Sequence, residues 1–308
     1  STPSPRVSQP SPRGSAGTLF YLMTYAPTVV ASFAVVTLVA GRGDDRTTVE
    51  DFRGLARRQP WLGGAFALLL PPVTGAQLYE LANNHMWRTE YAFTNYVSFA
   101  PPYLHPPYGS QSGNERDWTL YTWGMYYTLL NAGFRCVPTA GTASGVHPVP
   151  AGFSRVYVHL AGGFDYDAWL KGLADGRSFV TTGPMLFAKV NDSLPGETFR
   201  PAATPASYHV TGVVVSEAPL SFIEVVQDGV PVRTLMPQNR ETPEGARESV
   251  FDTTVLADRS GWVAVRCWED RPHGRFRWAH TAPWHIEIPG KPRQLRREAK
   301  EFLVSRMR

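Results

Sequence analysis

The side chains with the widest chemical reach in this chain stand together in LYELANNHMWRTEY, residues 78–91. Glu80, Asn83, Asn84, His85, Arg88 and Glu90 bring carboxylates, amides, an imidazole and a guanidinium into one short stretch. Such a set can together bind a metal and an anionic or carbonyl-bearing substrate. Its other reading is a polar loop that satisfies its own backbone. A second stretch, TAGTASGVHP (139–148), is a turn of small residues that ends in His147 and Pro148. The proline stiffens the turn and aims the imidazole. His147 is therefore either a ligand or catalyst, or a polar residue on a tight corner. In SRVYVHL, Arg155, Tyr157 and His159 are spaced by two and share one side of a strand. There are eight histidines and none precedes His85. No GxSxG elbow, phosphate loop or GxGxxG behind a strand is present.

These groups need elements to position them, and the pattern supplies two kinds. From about residue 18 to 197, strand-like and helical runs alternate. TTVEDFRGLARR (47–58) reads as a short helix capped by Thr47 or Thr48, and AQLYELANN as a strand entering a loop. FAPPYLHPPYGSQSGNERD is too long and too rich in Gly and Pro to be a regular element. Asp117 starts a helix that runs to Asn131, with Trp118, Tyr121, Met125 and Leu129 on one face and Gly133 as its stop. RCVPTA and SRVYVHL are strands, Asp165 caps the helix YDAWLKGLAD, and Gly176 ends it. SFVTT, a Gly183-Pro184 corner and MLFAKV follow. Strands separated by helices argue for an α/β layer or barrel.

After about residue 198 the period changes to two. YHVTGVVV, SFIEVVQ, VPVRTLM, SVFDTTVLA, GWVAVRCWE and PWHIEI are strand-length, and QDGV is a hairpin turn. Six such runs without a helix make an antiparallel β-sandwich. The expected organisation is a Ser/Pro/Arg-rich segment without its own core (1–17), an α/β domain (18–197), a β-sandwich (198–290) and a basic C-terminal helix (291–308).

Composition narrows the function classes. The 308 residues carry a net charge of +4, and Lys291 with the tail PRQLRREAKEFLVSRMR holds five Arg and two Lys. The body is close to neutral, and no nucleic-acid motif is present, so nucleic acid is not an expected partner. Cys136 and Cys267 lie in apolar runs and read as buried free thiols, without CxxC or Cys/His zinc spacing. The uncharged run Gly14–Gly41 has the length of a membrane span or signal core. It reads equally as two buried strands broken at Pro27. Membrane contact, if made, runs through residues 18–40.

Four blocks resemble one family in their order and spacing. They are ELANNHMWRTEYAF, YYTLLNAGFRCVPTAGTASGVHPVPAGFSRVYVHL, FDYDAWLKGLADGRSFVTTGPMLFAKV and AHTAPWHIEIPGKP. Over roughly residues 75–305 the chain resembles the CehA/McbA-like metallohydrolases of the PHP (polymerase and histidinol phosphatase) superfamily. The resemblance implies a distorted α/β barrel, here incomplete, whose strand ends hold divalent metal and activate a water. Bound metal lowers the pKa of that water to about 7. Carried across, Glu80, His85 and His147 would ligate Zn²⁺ or Mn²⁺, with His85 and His147 catalytic. Asn84, Arg88 and Arg155 would hold the substrate. The family's opening HxH pair is absent, and Ala143 stands where many relatives have Asp. The three ligands then suffice for one ion at most, in a chain that lacks its first barrel strands or in a branch that has lost the multinuclear site. The function expected from the resemblance is metal-dependent hydrolysis of an ester, carbamate or phosphoester in a small-molecule substrate, by a bacterial protein that is cytoplasmic or exported. The alternative is a non-catalytic ligand-binding or interaction protein of the same descent.

Overall fold

A computed structural model of the chain describes residues 78–83, 86–87, 115–142, 149–293, 297 and 301. The chain divides into two units, Ser1–Ala76 with Leu303–Arg308, and Gln77–Phe302. Everything described below belongs to the second. The segment 1–17, the run 18–40, the helix expected over 47–58 and the loop 99–114 lie outside the described residues.

The described residues are mostly strand, in β1 (Leu78–Ala82), β2 (Val137–Ala140), β3 (Arg155–Val158), β4 (Ser178–Thr181), β5 (Met185–Val190), β6 (Thr198–Phe199), β7 (Ala206–Ser216), β8 (Leu220–Gln227), β9 (Val230–Leu235), β10 (Arg240–Glu241), β11 (Arg247–Ala257), β12 (Gly261–Arg271), β13 (Arg275–Thr281) and β14 (Trp284–Ile286). Two helices, α1 (Glu115–Asn131) and α2 (Tyr166–Ala174), accompany them. A four-stranded sheet has the order β10-β11-β7-β5. An eight-stranded sheet has the order β3-β4-β13-β12-β14-β6, with β8 on the other side of β12 and β9 beyond it. β1 and β2 form a separate parallel pair.

The antiparallel sheets expected from the period-two runs are present, but the PHP-like α/β barrel is corrected. Among the described residues the only parallel pairs are β1–β2 and β14–β6. The reason lies in where the early strands pair. β3 and β4 extend the large antiparallel sheet through β13, and β5 crosses at the Gly183-Pro184 corner to pair with β7. Strands from before and after residue 197 thus share both sheets.

The large sheet is covered on both faces. β12 is buried over its first nine residues. Val263, Val265 and Cys267 point into a core shared with Leu186, Val210, Val214, Phe251 and Val255 of the small sheet. Trp262, Ala264 and Trp268 point the other way, into a second core with Trp123, Tyr126, Tyr127 and Leu130 of α1. With both faces buried, alternation has no polar partner, so the strand reads as a continuous apolar run. Full burial of each large side chain contributes about 1.5–3 kcal/mol.

α1 turns a different face inward from the one expected. Its buried residues are Thr119, Thr122, Trp123, Gly124, Tyr126, Tyr127, Thr128 and Leu130, whereas Met125 and Leu129 of the expected face are only partly covered and the side chains of Trp118 and Tyr121 lie outside those described. The helix is apolar around most of its circumference, so periodicity alone does not select a stripe. Threonines serve on the inner face because their hydroxyls find partners there: Thr128 Oγ1 donates to Gly124 O at 2.9 Å. The helix ends at Gly133, whose φ of 95° permits the left-handed stop. Arg293 donates to the carbonyl of Leu130 at 2.7 Å, satisfying one of the last-turn acceptors.

Several local expectations hold. Asp165 Oδ1 accepts from Ala168 N at 2.8 Å at the start of α2. The QDGV turn has Asp228 at φ 51° and Gly229 at φ 87°, the paired positive φ of a tight hairpin between β8 and β9. Of the tail expected to be a helix over 291–308, residues 291–293 are not helical, Arg297 and Glu301 are helical and ion-paired at 2.8 Å, and the rest lies outside the described residues.

The loop after β5 meets the end of α2 backbone to backbone. Gly196 has φ 90°, and a Cβ there would stand 1.9 Å from the carbonyl oxygen of Asp175. Gly196→Ala is therefore expected to cost roughly 2–4 kcal/mol from strain plus overpacking. Urea unfolding measures it, and a midpoint unchanged from the parent chain would contradict the packing described.

Candidate functional site

The loops that follow β1 and β2 come together beside Glu80. The two strands are parallel, with Glu80 opposite Thr139. Gly141 N donates to Ala82 O at 3.1 Å, and a Cβ on Gly141 would lie 3.1 Å from Glu80 Oε1. Thr142 Oγ1 exchanges hydrogen bonds with the backbone of Ser154 at 3.0 and 3.1 Å, and Ser154 Oγ donates to Asn83 O at 3.3 Å. Burial raises the Glu80 carboxyl above its ordinary value, and a hydrogen bond from Asn83 partly offsets this. Glu80 is nonetheless an exposed residue on β1, and its carboxylate lies beside Gly141, where the loop after β2 begins.

Of the remaining sequence-derived site residues, Asn84, His85, Arg88 and His147 lie outside the described residues. Arg155 is exposed at the start of β3, with its guanidinium 5.9 Å from the Tyr157 ring, on the side of the strand that spacing assigned to both. Among the described residues no group of three or more His, Cys, Asp or Glu could hold a metal ion. Glu80 alone represents the expected Zn²⁺ or Mn²⁺ ligands there, and no chemical step is routed through a metal.

Sequence reading missed the polar row that crosses the large sheet. Glu224 of β8, Arg266 of β12 and His280 of β13 are direct cross-strand partners. Arg266 Nε donates to Glu224 Oε2 at 2.6 Å, and Trp268 Nε1 donates to the same oxygen at 3.0 Å. Arg266 also donates to the Tyr127 hydroxyl at 3.2 Å, and that hydroxyl lies 2.7 Å from His280 Nε2. His280 Nδ1 lies 2.7 Å from the carbonyl of Thr281, which can only accept, so Nδ1 carries the proton and Nε2 accepts from Tyr127. Trp123 stacks over the row, 4.9 Å from the Arg266 guanidinium and 5.2 Å from the His280 ring.

The electrostatics of this row follow from its burial. His280 is 0% exposed, and desolvation takes its pKa down to about 3; the Thr281 carbonyl opposes the shift and Arg266 adds to it. The imidazole is neutral at every ordinary pH. Burial works against the Arg266 charge, but Tyr127 and Glu224 more than offset it and hold its pKa above the usual value. Each member has its partners, and no member reaches solvent. The row therefore positions α1 on the sheet and does not offer a reacting atom. The signal in the sequence was a charge inside each of two apolar runs, VAVRCW and FIEVV, which only strand pairing joins.

His285 is likewise buried, with its pKa lowered to about 3 by desolvation and by Arg135 and Arg293. His209 pairs with Asp252 at 2.8 Å on an exposed strand. Cys136 and Cys267 are both free thiols.

No family model matches the chain, and no solved structure matches it. Curated proteins do. The NADH-quinone oxidoreductase subunit N of Salinispora arenicola is 40% identical over 72 residues, 23% of this chain and 14% of that protein. The NADH-quinone oxidoreductase subunit N 3 of Streptomyces griseus is 41% identical over 68 residues, 22% of this chain and 12% of that protein. The subunit N of a Nocardioides species is 45% identical over 60 residues, 20% of this chain and 11% of that protein. The chain thus spans about one seventh or less of the length of these relatives.

These findings overturn the resemblance to CehA/McbA-like PHP metallohydrolases. The metal-dependent hydrolase falls with it, as does the non-catalytic descendant of such an enzyme. The small-molecule substrate as the expected partner is corrected too, because the matching proteins are subunits by name. The physical reason for the error is that GRSFVTTGP, which supplies β4 and the Gly183-Pro184 corner, combines a strand end with a tight turn. Antiparallel sheets generate such blocks without any metal chemistry.

Breaking one partner of a buried ion pair leaves the other charge stranded. Glu224→Ala is expected to destabilise the unit by about 3–5 kcal/mol, with much of the loss recovered when Arg266→Met is added. A double-mutant cycle by urea denaturation measures this, and additive losses would contradict the coupling. The imidazole adds a pH signature. The unfolded chain takes up a proton at His280 below about pH 6.5, while the folded chain does not until about pH 3. Stability therefore falls with pH across that window, by about 1.4 kcal/mol per unit for this group. In His280→Gln the deficit relative to the parent should shrink as pH falls from 6.5 to 4.5. A deficit that stays constant or grows would show that His280 is not held neutral.

Proposed function

We propose that the chain works as a protein component of an NADH-quinone oxidoreductase-type assembly, joined to it through the segment it shares with subunit N. The observation that carries this reading is the set of matches at 40–45% identity over 60–72 residues, all to proteins of that one name. The length of the match fits the first unit, whose main segment is Ser1–Ala76. That segment contains the uncharged run Gly14–Gly41, long enough for the roughly 20 apolar residues that a bilayer core requires. Contact with a membrane is assigned to this run. Among the described residues no helix is long and apolar enough to cross a membrane.

In this reading the second unit is a scaffold carried by the shared segment. Its rigid two-sided sheet and buried polar row suit a body that presents surfaces.

The experiment is fractionation of cells expressing the full tagged chain, followed by capture from membranes in mild detergent. The expected result is sedimentation with membranes and capture of NADH:quinone oxidoreductase activity above that of an untagged control. A chain that stays in the supernatant, or that captures no such activity, overturns the reading.

A further inference from the structure

A cavity of about 510 Å³ opens where the chain crosses from the large sheet to the small one. It is lined by the β3–β4 edge of the former and by β5 and β7 of the latter. The volume lies within the roughly 300–1,000 Å³ of small-molecule sites.

Its walls carry aromatic rings. Tyr157 and Phe179 are direct cross-strand partners and stack at 5.3 Å with an interplanar angle of 14°. Phe187 meets Phe179 edge-on at 5.7 Å and 72°, yet remains 50% exposed. A large ring that is packed on one edge and open on the other leaves a face for a further flat apolar group.

The charged lining residues are all basic. Arg177 and Lys189 contribute, and no carboxylate lines the cavity. Arg177 has Asp175 at 3.9 Å, which also binds Lys171 at 2.8 Å, so its charge is partly answered. Lys189 forms no ion pair among the described residues. The unanswered charge therefore suits one negative group rather than a dianion such as a phosphate.

We propose that this cavity is a binding site for a small aromatic carboxylate. The ring lies against Tyr157, Phe179 and Phe187, and the carboxylate faces Lys189 and Arg177. The molecule binds as a ligand and is not turned over. The site belongs wholly to the second unit, so it stands or falls apart from the assembly reading.

The test is titration of the full chain with 2-naphthoate and with its neutral isostere 2-naphthamide, followed by calorimetry. Saturable one-to-one binding is expected, with naphthoate favoured by about tenfold through the charge-assisted contact. Lys189→Met should abolish that preference by weakening naphthoate alone. Phe187→Ala should weaken both probes. Lys189 and Phe187 are exposed on β5, so melting temperatures close to the parent's are expected and distinguish lost binding from lost folding. No saturation below about 1 mM, equal affinity for the two probes, or an unchanged preference in Lys189→Met would each overturn the proposal.

Discussion

The second unit depends on keeping one charge buried in the middle of its largest sheet. Arg266 sits between Val265 and Cys267 on a strand with no exposed face, only 4% exposed itself. An unpaired guanidinium there would cost several kcal/mol. The structure meets this by aligning three strands so that Glu224 and His280 flank it in register, and by bringing Tyr127 from α1 over the row. A shift of β8 by one residue would point Glu224 at the opposite core. The row therefore specifies register as well as satisfying charge.

The rest of the unit can be read outward from that row. α1 is tied to the sheet by Tyr127 at the row and by Asn131 at its end, which accepts from Trp262 Nε1 at 2.7 Å and donates to Asp228 O at 3.1 Å. Asp228 in turn accepts from Trp262 N at 2.9 Å, so the β8–β9 hairpin, the start of β12 and the end of α1 meet at one junction. On the far side, the small sheet packs on Val263, Val265 and Cys267. At the edge of this layered body, where β4 turns into β5, the packing opens into the cavity. The buried centre serves order, and the edge is where a ligand can enter.

The comparisons and the fold bear on different parts of the chain's behaviour. The matched segments are short against the relatives, and the described β-rich unit finds no solved counterpart.

Local chemistry was legible in the sequence. Asp165 as a cap, Asp228-Gly229 as a tight turn, the free thiols and most strands from β7 onward follow from propensity and period, because those signals act over a few residues. β13 was not legible: its RFRWAH run follows a Pro-His-Gly turn and mixes arginines with large rings. These stand on a strand because Arg275 and Arg277 pack on Trp87, at 4.3 and 5.3 Å. The inward face of α1 escaped as well, since a helix apolar nearly all round carries no preferred stripe until a sheet selects one. The histidines show the same division. His280 carries no local signal, and only strand register made it a neutral acceptor in the core. Spacing decides what a segment can become. Which charges meet, and therefore which groups are held inert and which stay open to a ligand, was decided by pairing between segments tens of residues apart, where burial multiplies every electrostatic term.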